Sequence, residues 1–373
     1  FLMMKHASGP MYYKMPVGKY DSNNKFKNYN HMKRINIVYI LAAGLFSVLI
    51  SSCRNQDIKF PDYDYSTVYF AYQYPVRTIV LGEDIYDTSL DNQHKCMIYA
   101  TMGGVYSNDQ KIAIDVAVDN ALTNNLFFAA SNPVQAMPSN YYQLASNQIL
   151  LDKSQQGGVE VQLSDAFFAD KNSLKNSYVI PLRMTKVVNA DSILSGKPKY
   201  SGAVRGNTAD WDVLPKDYVL YCVKFINQWH ASYLRRGVDQ ITNNGTSSTA
   251  IRHKQYVEND EISSLKTASL MTNEFPVSVV NATGDKQTCT LLLTFDSSNK
   301  ITVSTTTEGF TATGTGTFVP KGEKKSWGNK DRDAIYLNYN ITSGTGVAYA
   351  TKDTLVAKDR GVKLETFNPL YVK

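Results

Sequence analysis

The chain has 373 residues and a formal charge of +6, from 39 Lys and Arg against 33 Asp and Glu. Residues 1–52 hold seven of those cations and one of the anions, leaving 32 of each, so the remainder has no net charge to draw it to nucleic acid. Four Cys and five His, with no CxxC or HExxH spacing among them, exclude a zinc framework written as a motif.

Residues 1–31 show no sustained periodicity and read as a spurious or non-native extension, because Met32 is a better start. Lys33 and Arg34 form a cationic flank, and Ile35 to Ile50 an apolar run too short for a comfortable bilayer span. The run ends in Ile50-Ser51-Ser52-Cys53, which resembles a bacterial lipobox. Residues 32–52 are therefore expected to be a lipoprotein signal peptide, and Cys53 the lipidated residue. Residues 53–66 read as a polar tether. The anchor implies the outer membrane, with the cell surface the expected side and a periplasm-facing attachment the alternative.

Beyond the tether the texture is that of a β-protein, with 25 Tyr and 15 Phe in the whole chain and short apolar runs punctuated by Asn, Gly and Ser. Strands are expected at 67–72, 78–81 and 94–101, followed by a break at Met102-Gly103-Gly104. Lys111 to Asp119 alternates most clearly, with Ile112, Ile114, Val116 and Val118 on one face. Asp115 and Asp119 lie on the other, about 13 Å apart along a strand, too far for a glycosidase pair, and read as a solvated face. Further strand material is expected at Tyr141-Tyr142, 149–151 and 159–163. One helical turn follows Ser164, and 178–188 is a strand in which Pro181 suggests an edge or a bulge.

These runs predict an immunoglobulin-like β-sandwich over 67–194. A Gly/Ser/Pro-rich linker follows at 195–212, then a second antiparallel β-domain over 213–373, either a sandwich or a lipocalin-like barrel. The second set of strands is placed at 217–227, 277–280, 288–295, 301–305, 311–319, 334–341 and 347–356. Asn243-Asn244-Gly245 is a hairpin turn signal. Cys96, Cys222 and Cys289 each fall inside an apparent strand and read as buried thiols.

Three phrases resemble the N-terminal module of Bacteroidetes outer-membrane lipoproteins encoded in polysaccharide-utilisation loci: His94 to Gly104, Met137 to Tyr142 and Tyr178 to Arg183. Asp217 to Asn227, Tyr233 to Gly237, Trp327 to Tyr339 and Lys352 to Phe367 resemble the β-domain paired with it. The resemblance implies a fold, a compartment and a genomic context, with an immunoglobulin-like module of uncharacterised role. In related proteins the first module precedes a glycosidase barrel, for which this chain has no room.

No nucleophile elbow, Walker A loop, dinucleotide fingerprint or chitinase-like acidic signature occurs, and no cofactor is expected. Asp62-Tyr-Asp64, Asp210-Trp-Asp212 and Asp331-Arg-Asp333 lack the spacing of an EF-hand and read as solvated turns. Sugars present C–H faces that stack on aromatic rings and hydroxyls that bond Asn, Asp and Arg. The candidate ligand contacts are accordingly Trp327, Trp229, Trp211, Tyr233 and Arg235, with Trp327 foremost because Lys324-Lys325-Ser326 and Gly328-Asn329-Lys330 around it read as loop. Core packing is the competing reading for the aromatics, and ion pairing for Arg235-Arg236 and Asp359-Arg360. The expected function is a non-catalytic lipoprotein that binds or presents glycans for an uptake system, partnered by a TonB-dependent transporter and its lipoprotein. A structural or adhesion lipoprotein that binds protein partners and an unrecognised glycan hydrolase are the alternatives.

Overall fold

A computed structural model describes residues 63–129 and 131–373. The extension 1–31, the signal peptide, Cys53 and most of the tether lie outside the described residues. The rest is all-β, built as two domains.

The first domain comes from strands β1 (Thr67–Tyr69), β2 (Pro75–Val80), β3 (Lys95–Gly103), β4 (Lys111–Val118), β5 (Gln148–Asp152), β6 (Gln156–Leu163), β7 (Tyr178–Val188) and β8 (Tyr218–Ile226). One curled sheet runs β1-β3-β6, flanked by Ser192–Ile193 and Tyr142–Leu144. The other runs β2-β8-β7-β4-β5. They face each other across one core, to which Val68, Ile98 and Val161 come from the first sheet and Ile79, Ile114, Ile180 and Val223 from the second. The alternation of β4 does what its pattern dictates, with Ile112, Ile114 and Val116 buried. Val118 is the departure: it is 44% exposed, because the strand ends there at the sheet's rim.

Strand β8 corrects the domain boundary. Its run Tyr218-Val-Leu-Tyr-Cys-Val reads as the opening of the second domain, yet it lies inside the first sheet, antiparallel to β7 and parallel to β2. A strand in the middle of a sheet covered on both faces needs apolar side chains on both. Val219 and Val223 enter the main core, while Tyr218, Leu220 and Cys222 pack on the opposite face with Val76, Val179 and Phe367. Pro181 is likewise central in its sheet, not at an edge. Its carbonyl accepts from the Asp119 N–H (2.9 Å), and the Asp119 carbonyl, which an N–H at 181 would reach, accepts from the Leu122 N–H instead (3.1 Å), so the missing donor falls where β4 has ended and leaves no acceptor orphaned.

The segment expected to be a linker is an ordered excursion. Asp210 accepts from the Val204 N–H (2.9 Å) and from Tyr200, Trp211 donates to the Val204 carbonyl (2.9 Å), and Arg205 pairs with the buried Asp217 (2.8 Å). The end of the chain also returns to the first domain. Glu365–Thr366 pairs with β2, and Leu370–Tyr371 with Leu126–Ala129.

The second domain is an eight-stranded antiparallel barrel: β9 (Ala231–Asn243), β11 (Glu261–Ser269), β12 (Thr272–Val280), β13 (Lys286–Phe295), β14 (Lys300–Thr305), β15 (Phe310–Glu323), β16 (Arg332–Ser343) and β17 (Ala348–Asp359). The pairing of β17 with β9 closes it, and β10 (Thr246–Arg252) lies outside as a hairpin on β9. Asn244 and Gly245 both adopt positive φ in that hairpin turn, as Asn-Gly favours. Alternate residues of each strand fill the interior, among them Phe275, Leu291, Leu293, Ile335 and Tyr339, so the barrel is packed.

Cys96, Cys222 and Cys289 are buried and unpaired. Burial pushes the thiols of Cys96 and Cys222 up to about 12, which leaves them unreactive at neutral pH.

Candidate functional site

The chain crosses from sandwich to barrel at Asn227. Its side-chain amide and that of Asn273 exchange two hydrogen bonds (2.8 and 3.0 Å), both groups being buried. Arg360, just past the end of β17, reaches back across the crossing. Its guanidinium donates to the carbonyls of Leu81 (2.7 Å), Glu83 (3.2 Å), His230 (3.0 Å) and Asn227. The sandwich and the barrel are thus joined by a polar clasp, and a cleft lies beside it.

His230 lies in the clasp, where its Nδ1 accepts from the Thr267 N–H (3.0 Å). Burial, reinforced by Arg360, Lys266 and Lys224, lowers its pKa from 6.5 to about 4. Below pH 6.5 the unfolded chain therefore takes up a proton that the folded chain refuses, so stability falls between about pH 6.5 and pH 4 and not further. The expected loss from this group is roughly 3 kcal/mol. Denaturant unfolding at pH 7 and pH 4 checks it: His230→Gln is expected to lose correspondingly less stability on acidification than the parent protein.

The cleft encloses about 600 Å³. One wall is the loop Gly82–Tyr86 after β2, and the other is the barrel rim at Pro320-Lys321, Asp331 to Asp333 and Ala357 to Val362. Gly82 shapes the first wall. It adopts positive φ, its N–H donates to Asn92 Oδ1 (2.7 Å), and a Cβ there would lie 2.6 Å from Gln228 Cβ. Beyond it Ile85 and Tyr86 stand out at the mouth, 87% and 64% exposed.

The rim is organised by two carboxylates. Asp333 accepts from the Lys321 N–H (2.8 Å), and Asp331 from the Lys325 N–H (3.0 Å) and the Lys324 ammonium (3.1 Å). Together they tie down the turn that carries Trp327. Lys321 also reaches Glu83 on the opposite wall at 3.5 Å, an exposed pair worth little to stability. The groups lining the cleft include the carboxylates of Glu83, Asp84, Asp331, Asp333 and Asp359 and the cations Lys321, Arg332, Lys358 and Arg360. One Asp84 oxygen is buried without a hydrogen-bond partner.

Of the candidate contacts, Trp327 lies beside this cleft and is half-buried. Its indole N–H donates to the Ala357 carbonyl (3.0 Å), and the Arg332 guanidinium covers one ring face, 3.4 Å from the centroid. The other candidates do not meet the premise of an exposed contact. Trp229 is 1% exposed and stacks on Phe295 (3.8 Å between ring centroids) at the end of the barrel core. Tyr233 is buried beneath the cleft, its hydroxyl spent on the Trp229 carbonyl (2.9 Å). Trp211 is buried in the ordered excursion. Arg235 faces the barrel interior, bonded to Asp353 (3.0 Å) and Tyr339 (3.1 Å). Positions 231, 233 and 235 are alternate residues of β9, so its inward face claims both Tyr233 and Arg235.

Sequence reasoning missed the Gly82–Tyr86 wall and Arg332. The polar run Gly82-Glu83-Asp84-Ile85-Tyr86-Asp87 signals a loop, and nothing local shows what it faces. Among the described residues no group of three or more His, Cys, Asp and Glu is placed to hold a metal ion.

Residues 228–361 match the family described as a domain of unknown function, DUF5627, and residues 63–191 match a family described as an N-terminal domain. A crystal structure of a protein of unknown function from Bacteroides ovatus is similar over 83% of this chain and 100% of its own, at 45% identity and a TM-score of 0.81. The chain belongs to that protein's family. An auxiliary nutrient binding protein from Bacteroides thetaiotaomicron VPI-5482 is far more distant, at 12% identity and a TM-score of 0.33 over 75% of this chain and 90% of that one. No curated protein matches the chain. Both family matches stop short of the strand 218–226, as expected if it is a sandwich strand supplied from outside either match.

Proposed function

We propose that the protein is a non-catalytic binding lipoprotein, anchored to the outer membrane through Cys53, that captures glycans in the junction cleft for an uptake system. The cleft carries this reading. Its volume falls within the range of small-molecule sites, and such sites favour the seam between domains. Sugar hydroxyls both donate and accept, so a lining that interleaves carboxylates, an Asn side chain and cations offers partners of both kinds. Tyr86 supplies an exposed ring at the mouth for a sugar's C–H face. A TonB-dependent transporter and its partner lipoprotein are the expected associates, and the cell surface the expected side of the membrane.

Calorimetric titration of the purified protein against a polysaccharide panel tests this. At least one glycan is expected to bind, and Tyr86→Ala to weaken it about 5- to 30-fold through loss of the stacked ring. A panel without a binder, or a binder indifferent to Tyr86, contradicts the cleft assignment.

A second reading, adhesion to a protein partner, is favoured by the outer face of the barrel. Val238 and Ile251 face each other across β9 and β10 at 37% and 66% exposure. Recovery of one defined protein from native membranes, lost on Ile251→Lys and indifferent to glycan, would support it.

A further inference from the structure

Eight arginines fall among the described residues, and six of them pair with carboxylates: Arg77, Arg183, Arg205, Arg235, Arg236 and Arg252. Arg360 is held by backbone carbonyls. Arg332 alone has neither a carboxylate nor a set of carbonyls around it, and it lies on the cleft wall. Its Nε and Nη2 both donate to one oxygen, the Trp327 carbonyl (3.3 Å each), while its plane rests on the Trp327 ring. Glu323 lies across the ladder from it, but that carboxylate accepts from the Tyr336 hydroxyl (2.8 Å). Burial draws the pKa of the Arg332 guanidinium below its ordinary value.

A guanidinium fixed by stacking and by two bonds from one edge keeps its remaining N–H donors in a set direction, the geometry that takes a planar carboxylate in a two-point contact. Lys358, half-buried on the same wall, has no ion pair among the described residues. Of the opposing carboxylates, Glu83 meets Lys321 and Asp331 meets Lys324, Asp333 caps the Lys321 N–H, and Asp84 attracts Arg360 without an ion pair among the described residues and keeps one buried oxygen unpartnered. Asp359 is exposed.

We infer that the cleft is selective for acidic glycans, its anion-binding residue being Arg332 and the preferred substituent a uronic-acid carboxylate. This rests on the reading of the cleft as a glycan site. It predicts that a polymer of uronic acid binds more tightly than a neutral polymer of similar length, and more weakly in about 0.5 M salt, where charge attraction is screened.

The test is titration of the protein, Arg332→Gln and Arg332→Lys with polygalacturonate, alginate, xylan, dextran and dextran sulfate, with unfolding midpoints showing that each variant folds. A uronate polymer is expected to bind the parent protein and to lose about tenfold or more in affinity with Arg332→Gln, and less with Arg332→Lys, which keeps the charge without the fork. Binding confined to xylan or dextran, or uronate binding untouched by Arg332→Gln, overturns this inference and leaves the glycan reading standing. Preference for dextran sulfate through Arg332 overturns the carboxylate assignment. Binding to none of the five overturns the inference together with the glycan reading.

Discussion

Asp353→Ala is expected to destabilise the barrel by about 3–5 kcal/mol, the scale on which half of a buried ion pair is lost when its partner stays behind. The Asp353 side chain is wholly buried. One oxygen accepts from Arg235 Nε (3.0 Å) and the Tyr339 hydroxyl (2.7 Å), the other from Arg252 (2.7 Å). Arg252 also pairs with Asp239 (2.7 Å), which accepts in turn from Thr351 (2.8 Å). Without Asp353, Arg235 remains in the interior with only Tyr339, a distant exposed Glu261 at 3.7 Å and the Phe275 face. Tyr339→Phe removes two hydrogen bonds, one donated to Asp353 and one accepted from Arg235, and leaves the charges paired, so about 2 kcal/mol is expected from it. Urea unfolding of the two variants measures both. A loss under 1 kcal/mol for Asp353→Ala would show that the charges are not confined as described.

This network sits where the barrel closes. Arg235 and Asp239 are on β9, Thr351 and Asp353 on β17, and the pairing of those two strands turns a sheet into a barrel. A one-residue slip would turn the charged side chains outward, so the network favours one register over its neighbours. Gly237 lies between Arg235 and Asp239 because a Cβ there would lie 2.2 Å from an Asp353 oxygen and 2.4 Å from the Lys352 carbonyl.

Arg360→Met is the second change with a large expected effect. The side chain keeps its bulk and loses every donor, so the carbonyls of Leu81 and His230 lose their partner at the junction and that of Asn227 keeps only the His230 N–H (3.2 Å). A cost of about 2–4 kcal/mol follows, and Arg360→Lys is expected to recover part of it, since an ammonium cannot serve all of these acceptors from one position. Because the clasp is the contact being removed, calorimetry is expected to show the melting of sandwich and barrel separating in temperature. One transition at an unchanged midpoint would mean that the amide pair of Asn227 and Asn273 and the returning tail join the domains without it.

How much of this was legible depended on whether the information was local. The alternation in β4 and the Asn244-Gly245 turn are local, and both appear where the residues say they should. Strands β9 and β11 escaped notice. In β11 the inward face is marked only by Ser263 and Leu265, and β9 carries Arg235, Gly237 and Asp239 on a face that a pattern search expects to be apolar. Barrel closure joins residues more than a hundred positions apart, and the membership of β8 depends on parallel pairing with a strand about 140 residues earlier. No periodicity encodes either. Of the site, the Trp327 turn was legible as a polar loop, whereas its opposing wall at Gly82–Tyr86 arrives by folding alone.

The junction cleft is the proposed place of glycan binding, and protection of a thiol at its mouth tests that most directly. The buried Cys96, Cys222 and Cys289 react slowly, so in a protein carrying Cys53→Ser a thiol introduced by Ile85→Cys is the fast one to label. A glycan found by titration is expected to slow maleimide labelling at position 85 about fivefold or more at saturation. A matching thiol introduced by Thr315→Cys on the outer wall of the barrel should label at the same rate with and without it. Unchanged labelling at position 85 under saturating glycan, or protection at position 315 instead, would contradict the account.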